Sequence, residues 1–218
     1  MPLTQTAKPR RTRLAPEQRS QLILDAAAQI VVNEGVSAVN MDRLGRDAGI
    51  SKALVYNYYP NRSELLRALL LREVRVYQAQ QLSAAESAPD VESLIRITTR
   101  AYLDHIAQKG VLIERLMSEP SIAEGMGEME RQGRARTVEY FAIKLKEGLS
   151  MPIELARMMT ELGMGLTGAG GAYLDRTGCN IDLLEDMIVS MLMANFSAVE
   201  KDYTNWRKVE TAGLRKRI

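Results

Sequence analysis

The stretch NMDRLGRDAGISKALVYNYYPNRSEL, from Asn40 to Leu65, decides the fold of the first third of the chain. Asn40 is suited to be the N-cap of a short helix, Gly49 to end that helix, and Ser51 to cap a second one. Within the first helix, apolar residues recur at i, i+3 and i+7, as expected of a helix with one buried face. The stretch therefore predicts a helix-turn-helix.

The part of this stretch with sequence GISKALVYNYYPNRSELL resembles the DNA-binding signature of the TetR family of bacterial transcriptional repressors. Four positions depart from the family pattern: Ala53, Leu54 where a small polar residue is usual, Arg43 where an acidic residue is common, and Gly45 where alanine is usual. The resemblance covers about the first 70 residues. It implies an all-α fold, with a three-helix DNA-binding head joined to a larger helical body. The residues that match the signature outright are Gly49, Ser51, Lys52, Tyr56, Tyr58, Glu64 and Leu65.

The second short helix is the expected recognition helix, because its polar side chains need a partner that a protein core does not supply. A recognition helix enters the major groove with its N-terminus first. Lys52 would then meet guanine O6 or N7, Ala53 a thymine methyl group, and Asn57 an adenine or the backbone. The resemblance implies that tyrosines and an arginine in the motif hold base or phosphate, while Tyr59 belongs to the core. The complete predicted DNA-binding set is Asn40, Met41, Arg43, Ser51, Lys52, Ala53, Tyr56, Asn57, Tyr58 and Arg62, with the amides at Asn40 and Met41 as a phosphate seat.

The charge distribution agrees with a head that meets phosphate. Residues 1–72 hold 11 Lys or Arg against 6 Asp or Glu, whereas residues 73–200 hold 12 against 19. The last 18 residues return to 6 against 2. A basic head on an acidic body favours nucleic acid as the partner of the head alone.

Composition indicates an all-α protein of the cytoplasm. Only 5% of the residues are aromatic, alternating strand patterns are scarce, and helix-forming residues dominate. The single cysteine, Cys179, excludes an internal disulfide framework and fits a reducing compartment. No apolar run is long enough for a membrane span. We find no nucleophile with its base, no metal spacing and no nucleotide loop, so we expect no enzyme activity, metal or cofactor.

Five segments are expected along the chain. Residues 1–14 form a basic arm, either one that follows the DNA backbone or a solubilising tail. Residues 15–62 form the DNA-binding domain, 63–82 a linking helix, 83–203 the effector-binding and dimerisation domain, and 204–218 a basic tail. Caps, glycines and prolines predict helices over 16–35, 62–82, 90–107, 111–118, 121–147, 152–174 and 180–202.

The glycine-rich run from Gly163 to Gly171 is not a phosphate loop, because it lacks the Lys-Ser/Thr ending and no strand precedes it. Each glycine weakens a helix by roughly 1 kcal/mol relative to alanine, so close helix packing is the better explanation. The run could form a four-helix dimer seam, as in the family, or fill the body's own core or kink around a cavity. The predicted dimer interface is Gly163, Gly170, Leu184, Met187, Ile188 and Met191.

The body holds many of the twelve methionines, which would suit an adaptable apolar pocket, although methionine at helical spacing is also ordinary core. The lone histidine finds no cysteine or histidine partner at metal spacing. The candidate effector-pocket residues are Tyr102, His105, Met126, Met129, Tyr140, Phe141, Met159 and Tyr173.

These observations predict a homodimeric, TetR-like transcriptional regulator that binds a pseudo-palindromic operator in double-stranded DNA. We expect a repressor that an unidentified small-molecule effector releases by population shift. The alternative is a structural DNA-binding or protein-interaction module without an effector, which would bind with little sequence preference.

Overall fold

The computed structural model describes residues 15–215, except for the side chains at 124, 125, 129, 130, 200, 201 and 203–215. The predicted basic arm, residues 1–14, therefore lies outside the described residues, as do the side chains of Met129 and of the predicted C-terminal tail. The described residues form eight α-helices and no β-strand, so the all-α prediction is confirmed. The helices are α1 (Pro16–Glu34), α2 (Met41–Asp47), α3 (Lys52–Tyr58), α4 (Arg62–Glu86), α5 (Val91–Met117), α6 (Pro120–Leu149), α7 (Ile153–Thr177) and α8 (Ile181–Arg215).

The chain divides after Leu70 into two compact units, which we call the head and the body. No helix within the described range is both long enough and apolar enough to cross a bilayer. The head contains α1 to α3 and the first turns of α4. Its core is built from apolar residues on every one of these helices: Ile23, Leu24, Ala27, Ile30, Val31, Leu44, Val55, Leu65, Leu66 and Leu69.

The helix-turn-helix has the caps and the turn that the sequence predicts. The side chain of Asn40 accepts a hydrogen bond from the amide of Asp42 at 2.8 Å, and Ser51 accepts one from the amide of Leu54 at 3.3 Å. Gly49 follows α2 with a φ of +67°, a conformation that side chains disfavour. Tyr59 is buried, which confirms its predicted core position. Both short helices are therefore capped, and the turn between them is set by glycine.

The departure at Gly45 has a packing reason. A Cβ atom at this position would lie 3.0 Å from the carbonyl oxygen of Ile50 and 3.2 Å from the amide nitrogen of Lys52. The glycine therefore lets the start of α3 approach α2 closely.

In the body, α5 to α8 pack around one apolar core, with α7 in contact with the other three helices. Leu103, Ala142, Met159 and Phe196 are among its buried members. Charged groups tie α5 to α8 at the surface. Arg96 donates to Asp186 at 2.6 Å, and Arg100 donates to Asp182 at 2.7 Å.

Several predicted boundaries in the body are wrong. The predicted break between residues 107 and 111 is absent, because α5 continues through Gly110 to Met117. A Cβ atom at Gly110 would lie 3.1 Å from Oδ1 of Asp175, so this glycine makes room for α7 rather than ending α5. α4 continues past 82 to Glu86, and α8 continues past 202 to Arg215. The glycines early in α6 do not interrupt it.

Candidate nucleic-acid interface

One face of α3 is exposed, and it carries the side chains with which a helix reads a duplex. Lys52, Ala53, Tyr56 and Asn57 lie on this face, which we call the reading face. Their spacing of i, i+1, i+4 and i+5 is that of a single helix surface. Val55, on the opposite side, is fully buried and anchors the helix to the head. The side chains of the reading face are thus exposed, while the opposite side of α3 packs into the head.

The ammonium of Lys52 is paired across the two short helices. Its Nζ donates to Oδ2 of Asp42 at 2.7 Å, and both side chains are more than half exposed. The same Nζ lies 5.9 Å from the centre of the Tyr56 ring. The hydrogen bond to Asp42 and the negative charge of that carboxylate raise the pKa of Lys52. Lys52 therefore stays charged at neutral pH and already has an anionic partner.

Arg43 is held even more firmly within the head. Its two terminal nitrogens donate to the two carboxylate oxygens of Glu34, at 2.6 and 2.7 Å. Its Nε donates to Oδ2 of Asp47 at 3.1 Å. The hydrogen bond from Arg43 lowers the pKa of Glu34, and the same bond raises the pKa of Arg43. This bidentate pairing joins the end of α1 to α2.

The remaining predicted DNA contacts have structural roles as well. Arg62 donates from Nη2 to the backbone oxygen of Val36 at 2.8 Å. The side chains of Asn40 and Ser51 are used as helix caps. Met41 is buried and Tyr58 is half-buried.

The head has no net charge over its described residues 15–70, where six Lys or Arg face six Asp or Glu. The basic excess of residues 1–72 comes from the four Lys or Arg of residues 1–14 together with Arg72. The sequence reasoning missed Asp42, Glu34 and Asp47 as partners of the predicted DNA-binding cations. Counting charges over 15–70 alone would have revealed the balance, although not the pairing.

Each predicted effector-pocket residue with a described side chain has its own surroundings in the body. His105 stacks on the ring of Tyr77, with centroids 4.4 Å apart, and lines a groove of about 260 Å³. Burial lowers the pKa of His105, against the opposing charge of Glu73. Met126 and Met159 are buried, and Tyr173 is exposed under the guanidinium of Arg176. Tyr140 packs edge-on against Phe141, and Tyr102 lies against Gly171. The groove is lined by Glu73, Val76, Gln80, Ala101, Asp104, His105, Gln108 and Lys109.

The predicted dimer residues lie on two different sides of α7 and α8. Gly163, Gly170 and Ile188 are buried inside the body, where a Cβ atom at Gly170 would lie 2.4 Å from Cδ1 of Ile188. Leu184 is half-buried against the same core. Met187 and Met191 instead belong to an exposed apolar surface, which we call the apolar face: Met158, Leu162, Tyr173, Leu183, Met187 and Met191.

Comparison with known proteins agrees with this geometry. Residues 23–69 match the family model described as bacterial regulatory proteins of the tetR family. The head of the chain is a TetR-family DNA-binding domain. The matched residues run from α1 into α4 and include the whole helix-turn-helix, which confirms the expected family and the position of the head.

Several curated transcriptional regulators are similar to this chain over part of its length. The HTH-type transcriptional activator FasR of Mycolicibacterium smegmatis is 30% identical over 97 residues, 44% of either chain. The nucleoid occlusion factor SlmA of Glaesserella parasuis is 23% identical over 184 residues, 83% of this chain and 84% of SlmA. The first curated relatives are matched over less than half of their own length.

Solved structures show the same fold. A TetR-like transcriptional regulator from Rhodococcus sp. RHA1 superposes with a TM-score of 0.64 at 21% identity, covering 85% of this chain and 99% of the other. At this level of identity the likeness establishes the fold of a TetR regulator, including its helical body.

Proposed function

We propose that this protein is a sequence-specific transcriptional regulator, and that the reading face of α3 binds the major groove of its operator. The observation that carries this proposal is the exposed stripe of Lys52, Ala53, Tyr56 and Asn57 on the second helix of a TetR-family helix-turn-helix. A helix of this kind meets base edges with its first residues. Lys52 is the first residue of α3.

Each side chain of the reading face has a base contact that suits its chemistry. Lys52 offers donors to guanine O6 and N7, Ala53 a methyl surface for thymine, and Asn57 a donor and an acceptor for adenine. Tyr56 and Tyr58 would hydrogen-bond base or phosphate. Arg43, Arg62 and Ser51, with the amides at Asn40 and Met41, would position the phosphates around them.

The active form is a homodimer that joins through the apolar face. Met187 and Met191 are each about half exposed, at 54% and 48%, and Leu162 and Leu183 are more exposed still. Apolar side chains this exposed on α7 and α8, two helices in contact, favour burial against a second copy. Two heads would then read half-sites about one helical turn apart, roughly 34–36 Å.

Release of the operator would follow from an effector that binds the body. The dimer would have two forms, one whose head spacing fits the operator and one whose spacing does not. A ligand that binds the second form more tightly shifts the population toward it. The ratio of the ligand's affinities for the two forms sets the largest possible loss of DNA affinity. The groove beside His105 and the methionines of the body support a ligand site there. With such an effector the protein acts as a repressor.

The test is selection of random duplexes by the purified protein at about 0.15 M salt, followed by sequencing of the retained DNA. We expect a two-fold symmetric motif. The double variant Lys52→Ala/Tyr56→Ala should lose at least about 100-fold in affinity for it, because each lost base contact is worth about tenfold or more. Glu17→Gln is the control, since it changes a charge on α1 away from the reading face. A retained pool no different from the input would contradict the proposal.

A second candidate is a DNA-binding module that works without an effector. The relative named a nucleoid occlusion factor spans 83% of this chain, more than FasR does, and supports this alternative. This candidate predicts that no small molecule raises the melting temperature of the protein. It also predicts weak binding that depends steeply on salt and little on sequence.

A further inference from the structure

The reading face contains one cation, and that cation is shared with a carboxylate. Lys52 is the one Lys or Arg on the exposed stripe of α3, and its Nζ lies 2.7 Å from Oδ2 of Asp42. Asp42 is the second residue of α2, so the pair bridges the beginnings of the two short helices. Asp42 is thus placed beside the group that would meet DNA first.

We propose that Asp42 is a specificity-determining residue, which lets Lys52 contact a guanine edge but penalises its contact with a backbone phosphate. This inference rests on the proposed function of the reading face. It assigns a role to a carboxylate that the helix-turn-helix signature does not include.

The argument depends on the number of donors that an ammonium has. Lys52 carries three N–H donors, and the bond to Asp42 uses one. Two donors remain, which is the number that guanine O6 and N7 require. Because these acceptors are uncharged, Asp42 keeps its partner when Lys52 binds guanine.

A phosphate contact has a different outcome. A phosphate that binds Lys52 comes within a few ångströms of the Asp42 carboxylate, well inside the Debye length of about 10 Å at 0.1 M salt. The two anions then repel each other across one shared cation. Lys52 also releases no net counterion, because Asp42 has already neutralised it.

The repulsion between Asp42 and a backbone phosphate matters for non-specific binding because the charges of the head are balanced. Residues 15–70 have six cations and six anions, and Arg43 is likewise paired with Glu34 and Asp47. The folded head therefore has little general attraction to a polyanion. Within residues 15–70, specific contacts rather than net charge must supply the affinity for DNA.

The experiment measures binding to two duplexes, the motif enriched in the selection and a scrambled duplex of the same length and composition, at several salt concentrations. For Asp42→Asn we expect affinity for the scrambled duplex to rise about three- to fivefold, the effect expected of one exposed charge pair. The slope of log K against log salt should steepen by about 0.9 for each bound head. Affinity for the motif should change less than about twofold, so that the specificity ratio falls.

Three controls separate this role from a structural one. Lys52→Met in the Asp42→Asn background should return the salt slope to the wild-type value, because the freed cation is then gone. Glu64→Gln removes an equal charge that is paired with Arg67 at 2.8 Å, and it should leave the salt slope unchanged. Asp42→Ser provides a second neutral variant, and circular dichroism melts of all variants check folding.

The inference is overturned if Asp42→Asn leaves the scrambled-duplex affinity and the slope at wild-type values, or if Glu64→Gln has the same effect. It is also overturned if Asp42→Asn lowers affinity for the motif about tenfold or more, the loss expected of one base contact, since Asp42 would then only orient the lysine. A wild-type protein that enriches no motif is a separate outcome, which overturns the proposed function itself.

Discussion

The reading face of α3 and the apolar face of α7 and α8 are both exposed, but they differ in chemistry and in what they need. The reading face carries an ammonium, a phenol and an amide, and these groups are well solvated in water. The apolar face carries methionine and leucine side chains. Removing apolar surface from water would stabilise the protein by about 25 cal/mol for each Å² buried. The first face can remain exposed until DNA is present, whereas the second favours a permanent protein partner.

The two faces also differ in how the chain restrains them. Lys52 is held by an ion pair that another anion can replace. The apolar face instead rests on a tightly packed layer, in which Gly170 and Gly171 of α7 contact Ile188 and Tyr102. We therefore expect substitutions on the reading face to change DNA binding with little change in stability, and substitutions around α7 to change assembly and stability.

The largest expected effect comes from charging the apolar face. Met187→Glu/Met191→Glu should raise the dimer dissociation constant at least about 100-fold, because burying unpaired carboxylates in an apolar interface is costly. Sedimentation equilibrium measures the change. Val111→Glu, an exposed apolar residue of α5 outside the apolar face, is the matched control and should remain dimeric.

Met187→Glu/Met191→Glu also tests whether the head binds DNA independently of the apolar face. A monomer should bind a half-site duplex as the wild-type head does, while losing the added affinity of a second head on the full motif. A charged variant that stays dimeric would show that the copies join through another surface.

The next effect is on stability and concerns two glycines of the same helix. A Cβ atom at Gly171 would lie 2.6 Å from Cε1 and 2.7 Å from the hydroxyl oxygen of Tyr102. Gly171→Ala should therefore lower the free energy of unfolding by about 1–3 kcal/mol through overpacking. Urea denaturation of the monomeric variant measures it without the contribution of the dimer.

Gly165→Ala is the matched control, because a Cβ atom there would have no neighbour within 4 Å. In the monomer it should raise the free energy of unfolding by up to about 1 kcal/mol, the gain in helix propensity. Equal changes at the two positions would contradict the packing assigned to α7.

The smallest expected effect is a pH dependence of the body. Burial lowers the pKa of His105 below its usual 6.5, so the unfolded chain takes up a proton before the folded chain does as the pH falls. Stability is thus fully present above pH 6.5 and declines below it. Because His105 is half-buried, the decline in melting temperature from pH 7.5 to 5.5 should be small.

His105→Phe keeps a ring to stack on Tyr77 and removes the titration, so it should flatten the profile. The chain has a single histidine, and other side chains ordinarily titrate outside this range. An unchanged slope in the variant would mean that another group is responsible.

Sequence reasoning was accurate where the signal is local. The caps at Asn40 and Ser51 and the positive φ of Gly49 follow from residues within a helical turn of one another, and the core position of Tyr59 follows from the family resemblance. It failed at Gly110, because a glycine in a helix has the same local signature whether it ends the helix or admits a neighbour. The neighbour is Asp175, which is distant in sequence.

The sequence by itself therefore determined the helix-turn-helix, the TetR family and the all-α fold, because capping, periodicity and the signature motif all act over a few residues. Only the tertiary structure decided which groups of the head are already paired and which face of α7 and α8 is exposed. Lys52 meets Asp42, and Gly170 meets Ile188, because separate helices pack at a particular distance and rotation. That geometry depends on the summed packing of the whole unit, which no single stretch of the chain encodes.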